Sequence, residues 1–492
     1  MKQFTGITWI LVICCFLTLP LRANASIKGS VIKIYSVSNQ YNYDEPWQML
    51  GQEQSSGSGC IIKGKRILTN AHVVANNMFI QVRRTGQAKK YTAEVVTVAH
   101  ACDLAILKVL DDSFFSGTTP VEIGSLPGFR DKVAVYGFPE GGDKLCITEG
   151  VVSRIEHRRY THSGANLLAC QIDAAINPGS SGGPVIKNNK IVGVAFQGMS
   201  GEDIENIGYM VPAPVINHFL KDIENGRHSR IPGIGISWQK MENPDIRLKY
   251  TLTGKQTGVL VDKIYPNSPA KGILKDEDVI LSVDGNNIEN DGTIEFRTDE
   301  RTFFGYAIQQ KYINDTAKLK ILRNNKILNV EIKLTNSVDS WRLVSHVRYD
   351  VAATYYIVGG LLFEPLTGNY LRTWGEEWKY YAPKNLLNYY FYGEPTDDRR
   401  EIIMLVKILA DEINAGYHEL ANNVIAYVNG KKISTMEDLV RAFDEHNGKY
   451  YTIVDEQGYK IVIDRNKAGM YGQRILKKYK IISDRSEDLR IK

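Results

Sequence analysis

From residue 27 to about residue 219 the apolar positions come in short runs with little helical period. Val31-Ile32-Lys33-Ile34-Tyr35, Cys60-Ile61-Ile62, Arg66-Ile67-Leu68-Thr69, Phe79-Ile80-Gln81-Val82, Leu104-Ala105-Ile106-Leu107-Lys108-Val109 and Lys132-Val133-Ala134-Val135-Tyr136 are each bounded by turn residues. Short strands at such regular spacing predict a β-barrel or sandwich. Residues 37–59, polar and rich in Tyr, Gln, Ser and Gly, predict a long exposed loop. Residues 212–223 predict a short helix, and the polar stretch 224–230 a linker.

Beyond the linker the pattern repeats itself. A shift of 145 positions lays Val259-Leu260-Val261 on Met404-Leu405-Val406, and Val279-Ile280-Leu281-Ser282-Val283-Asp284-Gly285 on Val424-Ile425-Ala426-Tyr427-Val428-Asn429-Gly430, without a gap. The repeat favours strand over helix for residues 402–409. Residues 374–392, rich in Trp and Tyr, read as domain packing. The basic run Lys477-Lys478-Tyr479-Lys480 falls in what reads as a solvated polar tail.

Candidate chemistry lies in Asp173-Ala174-Ala175-Ile176-Asn177-Pro178-Gly179-Ser180-Ser181-Gly182-Gly183-Pro184, a glycine-rich turn between two apolar runs. Glycine permits the backbone angles that aim consecutive N–H groups at one point, as an oxyanion site requires. An ordinary Gly/Ser/Pro loop is the alternative. His72 stands just past a strand and Asp103 at the start of one; alone, each reads as an ordinary core or surface residue. Together with a serine on such a turn they supply what acyl transfer needs: a nucleophile, an imidazole base and a carboxylate to orient it.

At these residues the chain resembles the HtrA/Deg family of chymotrypsin-fold serine proteases. Thr69-Asn70-Ala71-His72-Val73-Val74, Asp103-Leu104-Ala105 after 31 positions and Asn177-Pro178-Gly179-Ser180-Ser181-Gly182-Gly183-Pro184, with its second serine 78 positions further, carry the match. The resemblance implies a mainly β fold, a chymotrypsin-like double β-barrel, with Ser181 as nucleophile, His72 as general base and then acid, and Asp103 holding the histidine. Gly179, Ser180 and Ser181 would form the oxyanion loop, with the Gly179 and Ser181 amides as main donors. Ser180 departs from the Asn or Asp usual there. Ala175 takes the position that carries an acid in trypsin-like relatives, so cleavage after basic residues is disfavoured. Ile207, Gly208 and Tyr209 would pair with substrate backbone and line a pocket for small or medium apolar side chains.

Downstream, Ile231-Pro232-Gly233-Ile234-Gly235-Ile236-Ser237 and the repeated strands resemble PDZ domains, α+β modules that bind extended peptides by strand addition. Gly233, Ile234, Gly235 and Ile236 would capture a chain-terminal carboxylate. Gly359-Gly360-Leu361-Leu362-Phe363 would be the equivalent loop and strand of the second module, whose Tyr355-to-Phe363 run looks most like the plant-type Deg branch. The expected organisation is a signal peptide at 1–25, a protease domain at 26–225, PDZ domains at 231–335 and 345–468, and a polar tail at 469–492.

Length and composition agree with several domains, since 492 residues at 43% hydrophobic exceed a single core. Residues 1–25, with Lys2, an apolar run from Ile7 to Leu19 and a small-x-small end at Ala23-Asn24-Ala25, predict a secretory leader rather than a membrane anchor. Export, most simply to a periplasm, is the expectation that follows. The net charge of +5 implies no nucleic-acid partner. Cys60, Cys102, Cys146 and Cys170 show no metal-ligand spacing, so neither metal nor cofactor is expected, and sequence cannot pair them. No G-x-x-x-x-G-K loop is present. The function expected is ATP-independent endoproteolysis of unfolded or misfolded chains by a homo-oligomer, a trimer or multiple of trimers by resemblance. A chaperone or adaptor with weak or conditional proteolysis is the alternative.

Overall fold

In the computed structural model, which describes residues 27–140, 142–201, 204–226, 230–338 and 340–490, alternating burial folds the first half of the chain into two barrels. Among the described residues, Val31–Tyr41, Met49–Ile62, Arg66–Thr69, Leu104–Val109, Tyr91–Ala99 and Asn77–Arg84 close in that spatial order. The second barrel runs Pro184–Lys187, Lys190–Gly201, Ile204–Pro212, Asn166–Ile172, Cys146–Arg159 and Lys132–Gly137. Closure leaves inward residues such as Ile32, Ile34, Ile67 and Leu107 in one core and Val135, Leu168, Val185 and Met210 in the other. The helix Ala213–Glu224 buries Val215, Ile216 and Phe219 against the second barrel.

The expected loop at 37–59 is instead the outer part of a hairpin, paired from Val31↔Cys60 out to Tyr41↔Met49. Met49 to Ser55 are exposed, so solvent on both faces leaves no apolar alternation to mark the strand. The tip reaches the last domain: Tyr43 and Trp47 pack on its core, and Lys407 pairs with Asp44 at 2.6 Å.

Both downstream units are sheets with short helices. The first orders its strands Ile236–Lys240, Val259–Ile264, Val279–Val283, Thr316–Arg323 and Lys326–Lys333. The second runs Tyr356–Val358, Leu361–Pro365, Ile403–Ile408, Asn423–Val428, Tyr450–Asp455 and Lys460–Asp464. The 145-position shift carries Val259–Ile264 onto residues 404–409, all but the last of them in the strand Ile403–Ile408, and Val279–Val283 onto residues 424–428 within Asn423–Val428, so strand prevails over helix there.

The expected polar tail at 469–492 is corrected by the helix Arg465–Lys478, which buries Ala468, Ile475 and Leu476. Past it, Ile357 donates to Asp484 O and Leu489 is buried. Three buried apolar positions among many charges were too sparse to register as an amphipathic stripe. The expected leader lies outside the described residues. Cys60, Cys102, Cys146 and Cys170 are all free thiols. Burial pushes Cys102 and Cys170 up to about 12, which keeps them unreactive as nucleophiles.

Candidate active site

Asp103 follows a 3-10 turn, His100–Cys102, in left-handed backbone (φ 54°), a conformation that aspartate tolerates better than most residues. Asn70 Nδ2 donates to its carbonyl at 2.8 Å and fixes the turn beneath the Ala71–Val74 helix. The 1%-exposed carboxylate then accepts twice from His72, from the backbone N–H at 2.9 Å and from Nδ1 at 2.7 Å. Burial opposes charge on the His72 ring, but Asp103 overrides it and raises the imidazole above its ordinary value. Burial also opposes charge on Asp103; His72, as charge and as donor, more than offsets it and lowers the carboxyl. With Nδ1 committed to Asp103, Nε2 is the nitrogen available for proton transfer.

Ser181 sits on a turn braced from below. Ser58, fully buried, donates its N–H to Ser181 O and its hydroxyl to Gly179 O, both at 2.8 Å, while its Oγ accepts from Phe138 N at 2.8 Å. Gly179 has φ 85°, and a Cβ there would stand 2.5 Å from Phe138 O, so both conformation and space require glycine. The Ser180 amide donates to Asn177 O at 2.9 Å. Among the described residues the amides of Gly179 and Ser181 have no acceptor. Ser180 is therefore removed from the expected oxyanion donors: its N–H is turned into the loop, and the residue is buried.

His72, Asp103 and Ser181 line one cavity of about 530 Å³ with Ala175, Ile176, Asn177, Pro178, Phe196, Gly198 and Ile207. No hydrogen bond joins His72 to Ser181 among the described residues; such bonds tighten when substrate arrives. Of the expected substrate contacts, Ala175 and Ile207 reach this cavity, while Gly208 and Tyr209 do not line it. Gly208 is paired on both sides, with Gly198 and Ile172, and Tyr209 with Gln197 and Gln171, so neither backbone can take an added strand. Tyr209 OH instead lies 2.8 Å from Arg158 and 3.3 Å from Gln171. The free edge belongs to the neighbouring strand: Lys190–Gly201 pairs with Pro184–Lys187 only as far as Val194, leaving Phe196 to Gly198 open on that side.

Three family descriptions match in series: "Trypsin-like peptidase domain" over residues 57–194, then "PDZ domain" over 232–334 and "PDZ domain" again over 344–488. "Putative protease Do-like 3, mitochondrial" of Arabidopsis thaliana is 40% identical over 467 residues, covering 94% of this chain and 80% of that one. "Protease Do-like 2, chloroplastic" of the same plant is 38% identical over 468 residues, covering 95% and 76%. This chain belongs to the Do-like (HtrA/Deg) serine proteases. The fold also matches "HtrA-type protease AlgW with tripeptide", with TM-score 0.50 and 23% identity over 63% of this chain and 94% of that one. The organellar names of the Do-like relatives overturn the expectation of a periplasm and point to an organelle instead.

In both PDZ modules of this Do-like protease the positions expected to dock peptide are covered. In the first, Gly235 adopts φ 69°, while Gly233 N is already bonded to Asn336 O. Built Cβ atoms on Gly233 and Gly235 would each come 3.0 Å from the Trp341 ring, so the indole lies on the backbone of the expected carboxylate loop. Removing the indole by Trp341→Ala is expected to tighten binding of a fluorescent peptide with a free apolar C-terminus by about 5- to 10-fold, because the loop no longer has to be vacated; unchanged affinity would show that the ring does not compete. In the second module the edge strand Leu361–Pro365 is paired by the chain's own Tyr356–Val358, at the place where an added peptide would lie.

Sequence reasoning missed Thr161, His162, Phe196, Gly198, Tyr349 and Arg372, all of which line the cavity of His72 and Ser181. Phe196 and Gly198 were within reach, as the continuation of an apolar strand into Gln197-Gly198. Tyr349 and Arg372 come from the second PDZ unit and carry no local signal.

Proposed function

We propose that this Do-like protease is an ATP-independent endopeptidase of an organelle that cuts unfolded or misfolded chains after small or medium apolar residues. The observation that carries the reading is the buried Asp103 holding His72 through Nδ1 beside a serine turn whose Gly179 and Ser181 amides lack acceptors. In this reading His72 Nε2 takes the Ser181 proton as Oγ attacks the scissile carbonyl. The carbonyl electrons move onto oxygen, which the two amides receive. Collapse expels the amine, protonated by His72. Water then attacks the acyl-enzyme by the same route in reverse and frees Ser181.

The substrate chain would add to the open edge at Phe196 to Gly198, with the residue before the scissile bond placed over Ala175 and Ile207. Strand addition requires an extended segment, which a folded protein does not offer. Reduced, carboxymethylated α-lactalbumin should therefore be cleaved at least about 10-fold faster than the folded protein in the absence of nucleotide, with no gain on adding ATP. Equal rates on both forms, or a requirement for ATP, would contradict the proposal. Assembly as a trimer or a multiple of trimers belongs to the same proposal and rests on resemblance alone.

A further inference from the structure

Building on the protease reading above, we propose that Arg372 of the second PDZ unit is a specificity-determining residue of the catalytic cleft. It accepts an acidic side chain of the substrate on the acyl side of the scissile bond, two to four residues upstream. The cavity that holds His72 and Ser181 is closed on one wall by Tyr349 and Arg372, so the protease cleft is completed by a domain more than a hundred residues further along the chain.

Which part of the substrate meets that wall follows from the strand geometry. In the proposed reading the residue before the scissile bond would lie over Ala175 and Ile207, and the chain preceding it would run along Phe196 to Gly198. Phe196 packs on Tyr160 with ring centroids 4.5 Å apart. Thr161 and His162 come next in that loop, which places them on the acyl-side wall. His162 stacks on Tyr349 at 3.9 Å and 20°, and Arg372 lines the same cavity as Tyr349. The aromatic series Tyr160, Phe196, His162 and Tyr349 thus leads from the substrate edge to the guanidinium.

The charges in the cleft are one-sided. Among the described residues Asp103 is the one carboxylate lining it, 1% exposed and committed to His72. Burial brings His162 down to about 3, so that ring is neutral at neutral pH. Arg372 is exposed and has no ion-pair partner among the described residues. An arginine left without a carboxylate inside a binding cleft is a fork-shaped donor set suited to one.

The wall that carries it is set in place by the docking of the domain. Asp350 bonds to His100 Nε2 at 2.8 Å and exchanges hydrogen bonds with Asn76, through its carboxylate and its N–H. His100 Nδ1 lies 2.9 Å from His162 Nε2, and Tyr349 OH donates to His162 O at 3.3 Å. Little ordering of that wall is left for the moment of binding, which favours discrimination between substrates.

The test uses the full-length enzyme and fluorogenic octapeptides with valine at the cleavage position and Glu, Gln or Lys at each of the three positions upstream of it. The expected result is a kcat/KM about 10-fold higher for Glu than for Gln at one of those positions. The ratio should fall to about one in Arg372→Gln and invert toward Lys in Arg372→Glu, a reversal that a merely structural role would not produce. Binding of the same peptides to Ser181→Ala, with and without Arg372→Gln, reads the preference without turnover. Preference in binding but no cleavage of any peptide by the unmodified enzyme would reject the catalytic reading and leave this inference standing. No Glu preference in either readout, or a preference that survives Arg372→Gln, overturns it.

Discussion

Replacing Ser181 with alanine is expected to lower peptide-bond cleavage by roughly 10⁶-fold, because attack, proton transfer and collapse all pass through Oγ and the remaining members act only as a unit with it. The neighbouring Ser180 cannot take over: it is 6% exposed and its N–H is held by Asn177 O. The brace beneath the turn should be unaffected, since Ser58 holds backbone oxygens of Gly179 and Ser181 rather than the hydroxyl. The unfolding midpoint should then move by less than about 2 °C. Casein digestion followed by mass spectrometry reads the activity. Residual cleavage above one part in a hundred, at the same sites, would assign the nucleophile elsewhere.

The second large effect concerns the orienting acid. Asp103→Asn keeps the shape of the side chain but presents an N–H where His72 Nδ1 now donates, which drives the ring toward the tautomer with its proton on Nε2. A loss of about 10⁴-fold in kcat is expected. The pH profile separates this from simple damage. In the native enzyme Asp103 raises His72 above its ordinary value, and catalysis needs the neutral ring, so kcat/KM should fall as pH drops through that raised value. In the variant both effects of Asp103 vanish while burial still disfavours the imidazolium, so the acid limb should move to lower pH even as the rate collapses. An acid limb that stays in place would show that Asp103 does not control the ring.

The candidate catalytic group was readable from sequence because His72, Asp103 and Ser181 each sit in a local context with its own geometric demand: a helix start after a strand, a left-handed turn, and a glycine-rich loop with positive φ at Gly179 and Gly182. The repeat was readable because strand burial imposes the same spacing twice. Gly208 and Tyr209 were expected to pair with substrate but have no free edge, since sequence identifies a strand without saying which neighbours flank it. Hydrogen-bond partners decide that, and they lie at Ile172, Gln171, Gly198 and Gln197. Tyr349 and Arg372 were invisible for a related reason: domain docking through Asp350, Asn76 and His100 has no periodicity. The outer hairpin and the helix Arg465–Lys478 escaped because solvent on most sides dilutes the apolar pattern.

The self-paired strand Tyr356–Val358 also bears on how the chain avoids edge-to-edge association with extended segments. A bare sheet edge at Leu361–Pro365, apolar over Leu361, Leu362 and Phe363, would offer a row of unused donors and acceptors to any extended segment nearby, including the same edge of another copy. Sheets joined in that way grow without limit. By spending three of its own residues on that edge, the chain limits open-ended polymerisation in a protein whose proposed substrates are themselves prone to it.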